Sequence, residues 1–103
     1  MPTAAQLHNE LWTSLASLLR SYTAVHGLHK GRQATTQANE ERITVCHGAR
    51  RLELRRTGAT IAWTRENGES GTLELMETGR LRGASGEEEM DLAAEAWARE
   101  LML

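Results

Sequence analysis

The chain has 103 residues, of which 40% are hydrophobic and 25% are charged, and its formal net charge is −2. This length predicts one domain, 1–103, with a modest core, and the composition argues against disorder. A net charge so close to zero gives no overall field that would attract nucleic acid or an anionic membrane. No apolar run approaches the roughly 18 residues that a membrane span needs, so we expect no membrane association.

The first predicted element is a long helix over about residues 3–26. Thr3 and Gln6 have the spacing of a capping box, in which each side chain satisfies a free backbone N–H of the first turn. Gly27 is predicted to end the helix. The apolar residues between them recur at steps of three and four, which is the spacing of one helical stripe: Leu7, Leu11, Leu15, Leu18, Tyr22 and Val25.

The opposite face of this predicted helix carries small side chains in place of the usual charged residues. It includes Thr13, Ser17 and Ala24, and Arg20 and Glu10 are the charged residues between Thr3 and His26. A face of this kind either meets solvent or allows another subunit to approach closely. We therefore take Thr13, Ser17 and Ala24 as candidate interface residues.

Residues 27–41 are polar and are predicted to connect the helix to a sheet. Fifteen residues without regular structure would be a long connection inside a small domain. The segment is therefore expected either to contain a short edge strand around Gln33–Gln37 or to be a mobile loop.

A period of two replaces the helical period after residue 41. Four segments alternate apolar and polar residues, which is typical of an antiparallel sheet with one covered face. A fifth short strand at Arg80–Arg82 is an alternative end to this meander. The apolar residues of the four segments are Ile43 and Val45, Leu52 and Leu54, Ala59 to Trp63, and Leu73 and Leu75.

The turns between these strands are constrained because opposed residues must lie on the same face of the sheet. Two-residue turns at Gly48–Ala49 and Thr57–Gly58 satisfy this rule, and a two-residue turn at Asn67–Gly68 does not. A three-residue loop, 66–68, with a left-handed glycine restores it. The predicted opposed pairs are Val45 with Leu52, Leu54 with Ile61, and Ile61 with Leu73.

A second helix is predicted over about residues 85–102. Ser85 and Glu88 have capping-box spacing, and the acids at 87–91 suit the positive end of a helix dipole. The predicted fold is therefore α+β and two-layered, with a long N-terminal helix, a four-stranded antiparallel meander and a C-terminal helix. Both helices are expected on one sheet face. The opposite face would then be open, and its candidate interface residues are Thr44, Thr60, Ala62, Thr64 and Met76.

Histidine and cysteine suggest a weak candidate metal site. His26 and His29 form an H-x-x-H pair, and Cys46 and His47 lie near a predicted turn. These side chain types are zinc ligands, but their spacing is not that of a known zinc finger. The default interpretation is therefore surface histidines and a plain strand cysteine, with no metal and no cofactor.

The predicted sheet also carries many arginines, which form a candidate anion-binding set. Such side chains could contact phosphates. Acidic residues alternate with them, however, and no aromatic shares their face as a base-stacking platform. Charge pairing between strands is the simpler interpretation, so a nucleic-acid partner is not favoured. The set comprises Arg50, Arg51, Arg55, Arg56 and Arg65.

Three functions remain open at this stage. The leading hypothesis is a non-enzymatic protein-interaction module that acts as a homodimer. The alternatives are nucleic-acid or anionic-ligand binding through the arginines, and a small carrier or enzyme with a pocket lined by Trp12, Trp63 and His8. Cys46 is the single cysteine, which fits the reducing cytoplasm, and no signal peptide is expected.

Overall fold

The structure, a computed structural model, describes residues 3–28 and 34–102 and has an α+β fold. Two helices frame a seven-stranded sheet whose strands are all antiparallel and lie in chain order. Three more strands are therefore present than the four predicted, including the alternative strand after Gly79. The elements are α1 (Ala4–Leu28), β1 (Thr35–Ala38), β2 (Arg42–His47), β3 (Arg50–Thr57), β4 (Thr60–Arg65), β5 (Ser70–Leu75), β6 (Arg80–Gly83), β7 (Gly86–Glu89) and α2 (Met90–Met102).

Helix α1 begins with the predicted capping box. The Thr3 backbone N–H donates to Gln6 Oε1 at 2.9 Å, and the Gln6 N–H donates to Thr3 Oγ1 at 3.2 Å. The helix continues through the predicted stop at Gly27 and ends at Leu28. Residues 29–33, which include His29 and the start of the predicted Gln33–Gln37 strand, lie outside the described residues. The edge strand itself is β1, at Thr35–Ala38.

Two of the three predicted turns are confirmed. The β2–β3 turn is Gly48–Ala49, and Val45 lies opposite Leu52. The β4–β5 loop has three residues, Gly68 adopts a φ of 90°, and Ile61 lies opposite Leu73. In both turns glycine provides the positive φ that other residues rarely adopt.

The β3–β4 turn was predicted one residue too early. It is formed by Gly58–Ala59, so Leu54 lies opposite Trp63, and not opposite Ile61 as predicted. Gly58 has a φ of 60° and takes the first turn position, as Gly48 does in the preceding hairpin. This register differs by two residues from the predicted one. Because side chains alternate with a period of two, the apolar residues still share one face.

The prediction of a helix from residue 85 was wrong, because residues 86–89 form β7. Ala84 and Ser85 make a two-residue turn between β6 and β7, and Gly86 has a φ of 117°. Glu87 and Glu89 then lie opposite Arg82 and Arg80. Cross-strand pairs of opposite charge stabilise this register, so the acids that resembled a helix start are strand residues, and α2 begins at Met90.

The core lies between the helices and one face of the sheet, here called the inner face. Side chains of both helices and of five strands, β2 to β6, pack in one cluster. The helices pack mainly against each other, and α1 approaches the sheet chiefly at β1, a detail that differs from the predicted arrangement. The strand residues with 2% exposure or less all alternate on the inner face: Ile43, Val45, Leu52, Leu54, Ile61, Leu75 and Leu81.

No helix in the described part of the chain has the length and apolar character needed to cross a membrane.

Leu54→Ala should destabilise the fold strongly, because Leu54 is fully buried and its truncation leaves a cavity as well as losing apolar contacts. We expect a loss of about 3 kcal/mol in the free energy of unfolding, measured by urea denaturation. Leu92→Ala is the matched control, because Leu92 is 57% exposed and its truncation should change stability by less than about 0.5 kcal/mol. Equal losses in the two variants would contradict this description of the core.

Candidate functional site

Arg56 is held by the fold and does not project freely. Its guanidinium group donates to the backbone carbonyl of Glu40 at 2.9 Å and to that of Gly58 at 3.2 Å. Its central carbon also lies 5.7 Å from the centroid of the Trp12 ring, within the range of a cation–π contact. Arg56 therefore ties the β1–β2 connection and the β3–β4 turn to α1.

Two more candidate arginines and His47 meet the C-terminal end of α2. Arg50 donates to the Glu100 carbonyl, and His47 Nδ1 donates to the Leu101 carbonyl at 2.8 Å. Arg65 pairs with the Glu100 carboxylate at 2.6 Å. The last carbonyls of a helix lack intrahelical partners and form the negative end of its dipole. Arg50 and His47 therefore cap α2, and Arg65 binds the side chain of Glu100 in its last turn.

The remaining two candidate arginines lie on the opposite, outer face of the sheet. Arg55 pairs with Glu53 at 3.1 Å, and Arg42 pairs with the same carboxylate at 3.2 Å. Arg51 has no ion pair or hydrogen bond to another described residue. The structure thus does not bring the five arginines together on one surface.

The candidate metal ligands lie in separate surroundings. His26 Nε2 lies 3.2 Å from Glu95 Oε1 on α2, and Cys46 is half-buried on the outer face beside Arg51. His47 is engaged at the end of α2, and His29 lies outside the described residues. Among the residues that the structure describes, no three His, Cys, Asp or Glu side chains are grouped to hold a metal ion.

The candidate pocket residues Trp12 and Trp63 line different cavities. Trp12 is buried, and its indole N–H donates to the Asn39 carbonyl at 2.7 Å. Trp63 lies instead beside α2, where it lines a groove of about 540 Å³ with Leu73 and Trp97. His8 is half-buried on α1.

The outer face of the sheet carries a patch of small neutral side chains, here called the threonine patch. Ala62 lies opposite Thr72 and Thr64 lies opposite Ser70, so these four residues are continuous, and Thr60 lies opposite Glu74. Thr44 lies nearby on β2, and Met76 follows β5 on the same face. The patch consists of Thr60, Ala62 and Thr64 on β4 and of Ser70 and Thr72 on β5.

Charges on the outer face are distributed unevenly around the threonine patch. On the β2–β3 side, one glutamate, Glu53, serves two arginines, Arg42 and Arg55, and Arg51 adds a further positive charge. On the β5–β7 side, Arg82 pairs with Glu74, and Arg80 lies 3.8 Å from both Glu87 and Glu89. The patch therefore separates a surplus of positive charge from a surplus of negative charge.

The second candidate surface, on α1, is exposed, and its Thr13 hydroxyl is hydrogen-bonded within the helix. Thr13, Ser17 and Ala24 are exposed, and the Thr13 hydroxyl donates to the Asn9 carbonyl at 3.0 Å. Val25 on the same helix is 56% exposed. Thr13 and Ser17 border a groove of about 350 Å³ between α1 and the end of β1.

A feature that the sequence did not indicate is a break in the sheet, here called the split. Only Glu74 and Leu75 of β5 pair with β6, because the chain turns away at Ala84 and Ser85. A cavity of about 860 Å³ lies at this break, lined on one side by residues 70–74 and on the other by residues 82–85. Gly83 is the available sequence signal, since it leaves room beside Leu73.

Comparisons of this chain with protein-family models, with curated proteins and with solved structures gave no match.

Arg56→Ala should destabilise the protein, because it removes the hydrogen bonds to Glu40, Gly58 and the Asn9 side chain and the cation–π contact with Trp12. We expect a loss of about 1–2 kcal/mol in the free energy of unfolding by urea denaturation. Arg51→Ala is the matched control, since Arg51 has no partner among the described residues, and it should leave stability within about 0.5 kcal/mol of the parent. A greater loss in Arg51→Ala than in Arg56→Ala would show that Arg56 is not structural.

Proposed function

We propose that the chain is a non-enzymatic protein-interaction module that forms a homodimer through the outer face of its sheet. The observation that carries the proposal is the threonine patch, which is neutral, continuous over two strands and exposed or half-exposed. Small side chains let a second surface approach closely. The charges on its two sides then define which surface fits.

A second copy of the chain has the complementary charge pattern. A twofold axis parallel to the strands, between β4 and β5, places the β2–β3 side of one subunit over the β6–β7 side of its partner. In this arrangement β2, which carries Arg42, lies over β7, which contains Glu87 and Glu89, and β3 lies over β6. An isologous interface repeats this contact twice, and electrostatic complementarity selects for the correct partner.

The expected dimer is weak. Seven strands spaced about 4.8 Å apart and about 20 Å long present roughly 600 Å² per subunit, which is at the low end of specific interfaces. The patch is also polar, so apolar burial contributes little. We therefore expect a dissociation constant on the order of micromolar, with affinity that falls as ionic strength rises.

The other hypotheses have less support in the geometry. Four of the five candidate arginines already bind carbonyls or carboxylates of the same chain, so they are a poor phosphate-binding set. Trp12 and Trp63 line different cavities, so the geometry gives less support to one pocket that could exclude water from a reaction. The single cysteine, Cys46, favours a cytoplasmic setting for the proposed dimer.

Ala62→Glu should weaken the dimer strongly, because two copies of a new, larger carboxylate would meet near the twofold axis; Arg55, opposite residue 62 on β3, already pairs with Glu53. Like charges brought together in an interface cost several kcal/mol. Sedimentation velocity over micromolar to submillimolar concentrations should show a monomer–dimer equilibrium for the parent protein and a monomer for the variant.

Ser17→Glu is the matched control, because it places the same charge on the exposed face of α1. It should leave the monomer–dimer equilibrium unchanged. Loss of the dimer in Ser17→Glu but not in Ala62→Glu would transfer the interface to α1, and a strictly monomeric parent protein would refute the homodimer.

A further inference from the structure

The split leaves backbone groups of β5 without ladder partners. The Met76 N–H donates to the Arg80 carbonyl in the direction of β6, whereas the Leu75 N–H donates to the Ala59 carbonyl in the direction of β4. In an antiparallel strand both backbone groups of a residue point to the same side, and successive residues alternate. Thr72 and Ser70 therefore present their N–H and C=O groups to the split, where β6 does not pair with them.

The split is lined by Trp63 and Leu73 as well as by polar residues, including the paired Glu74 and Arg82, and it is closely packed at two glycines. A Cβ atom at Gly71 would lie 2.6 Å from the Trp63 ring, and one at Gly83 would lie 2.7 Å from Leu73 Cδ2. The missing side chains allow Trp63 and Leu73 to lie flat against neighbouring strands. Both residues line the split and also the groove beside α2.

The groove has a negative rim. Its ionisable lining residues are Glu87, Glu88 and Glu100, and no lysine or arginine lines it. Glu88 lies opposite Leu81, which places it on the inner face with the apolar residues. It forms no ion pair with a described residue, whereas Glu100 is paired with Arg65.

We propose that the split binds an extended, basic peptide segment of a partner protein by strand addition to β5. The backbone of the segment takes the place that β6 vacates and bonds to the free groups of Ser70 and Thr72. Alternate side chains then enter the groove, an apolar one against Trp63 and Leu73 and a basic one near Glu88. Main-chain bonds supply affinity and the groove supplies specificity, as in other cases of strand addition.

This activity goes beyond the proposed homodimer. It uses backbone groups of Ser70 and Thr72 at the edge of β5, whereas the homodimer uses the side chains of the threonine patch, to which both residues also belong. Peptide binding is therefore measured on the parent protein and on Ala62→Glu. If both proteins bind the peptide, peptide binding does not depend on the dimer. This conclusion holds whether or not sedimentation detects a dimer.

The probe is the pentapeptide acetyl-Lys-Thr-Val-Thr-Lys-amide, whose lysines and valine share one face of a strand. Its control is the same peptide with glutamate in place of both lysines. Neither peptide contains tryptophan, so the fluorescence of Trp63 and Trp97 beside the site reports binding. We expect the basic peptide to bind at submillimolar concentration and the acidic peptide to bind at least tenfold more weakly. No binding of the basic peptide at millimolar concentration, or equal binding of both, would overturn the proposal.

Thr72→Pro removes the N–H that faces the split. It should keep the hydrogen bonds between β4 and β5, because the odd-numbered residues of β5 make them. We expect about a tenfold loss of affinity, the value of one lost donor. Thr72→Ala keeps the N–H and should bind within about twofold of the parent. Equal affinity in these two variants, each shown to be folded by circular dichroism, would overturn the proposal.

Glu88→Gln provides a second test that does not alter the backbone. It should lower the affinity for the basic peptide severalfold and should not lower the affinity for the acidic peptide. Glu89→Gln is its matched control, because Glu89 lies on the outer face beside Arg80. A larger effect at Glu89 than at Glu88 would place the peptide outside the groove and refute the assignment.

Discussion

The side-chain alternation of the sheet is the constraint on which the rest of this structure depends. Each strand must present its apolar residues to the helices, and a slip of one residue would expose them all. The connections meet this requirement with either two or three residues. Two-residue turns follow His47, Thr57 and Gly83. Three-residue loops follow Arg65 and Met76. Buried residues such as Leu54, Ile61 and Leu81 consequently form one continuous cluster under the helices.

The same constraint explains where the polar residues lie. Inner-face positions at the margins of the sheet carry arginines whose guanidinium groups reach helix ends and turns, as Arg50 and Arg56 do. Outer-face positions carry ion pairs around a neutral centre. An arginine-rich segment that resembles an anion site in sequence is therefore divided between the two faces. Exposed pairs of this kind contribute little stability each, but they leave the outer face with a defined charge pattern.

Much of the fold was predictable from periodicity, because helix α1 and the first strands have strong local patterns. The capping box at Thr3 and the loop that ends at Gly68 followed from the same reasoning. The start of α2 did not, because glutamates at 87–89 suit a helix N-terminus as well as a strand opposite arginines. Local sequence does not distinguish these choices, since the deciding partners, Arg80 and Arg82, belong to another strand.

The candidate sites were predictable only in part for a related reason. The alternation of apolar and polar residues in the sequence is enough to predict that Thr60, Ala62 and Thr64 lie on the open face. To predict the split, one would have to know how many residues pair between β5 and β6 and between β6 and β7. Both numbers depend on where the chain turns at Ala84. No local pattern in β5 indicates that Thr72 lacks a partner, and this is where the structure adds most to the sequence.

Amide hydrogen exchange of β5 tests the central claim most directly, because it reads each backbone N–H of the strand separately. The account predicts slow exchange for Gly71 and Leu73, which bond to β4, and fast exchange for Ser70 and Thr72, which face the split. The Glu74 amide, within the β5–β6 ladder, should again be protected. Equal protection of Thr72 and Leu73 would show that the sheet is continuous at this point and would contradict the account.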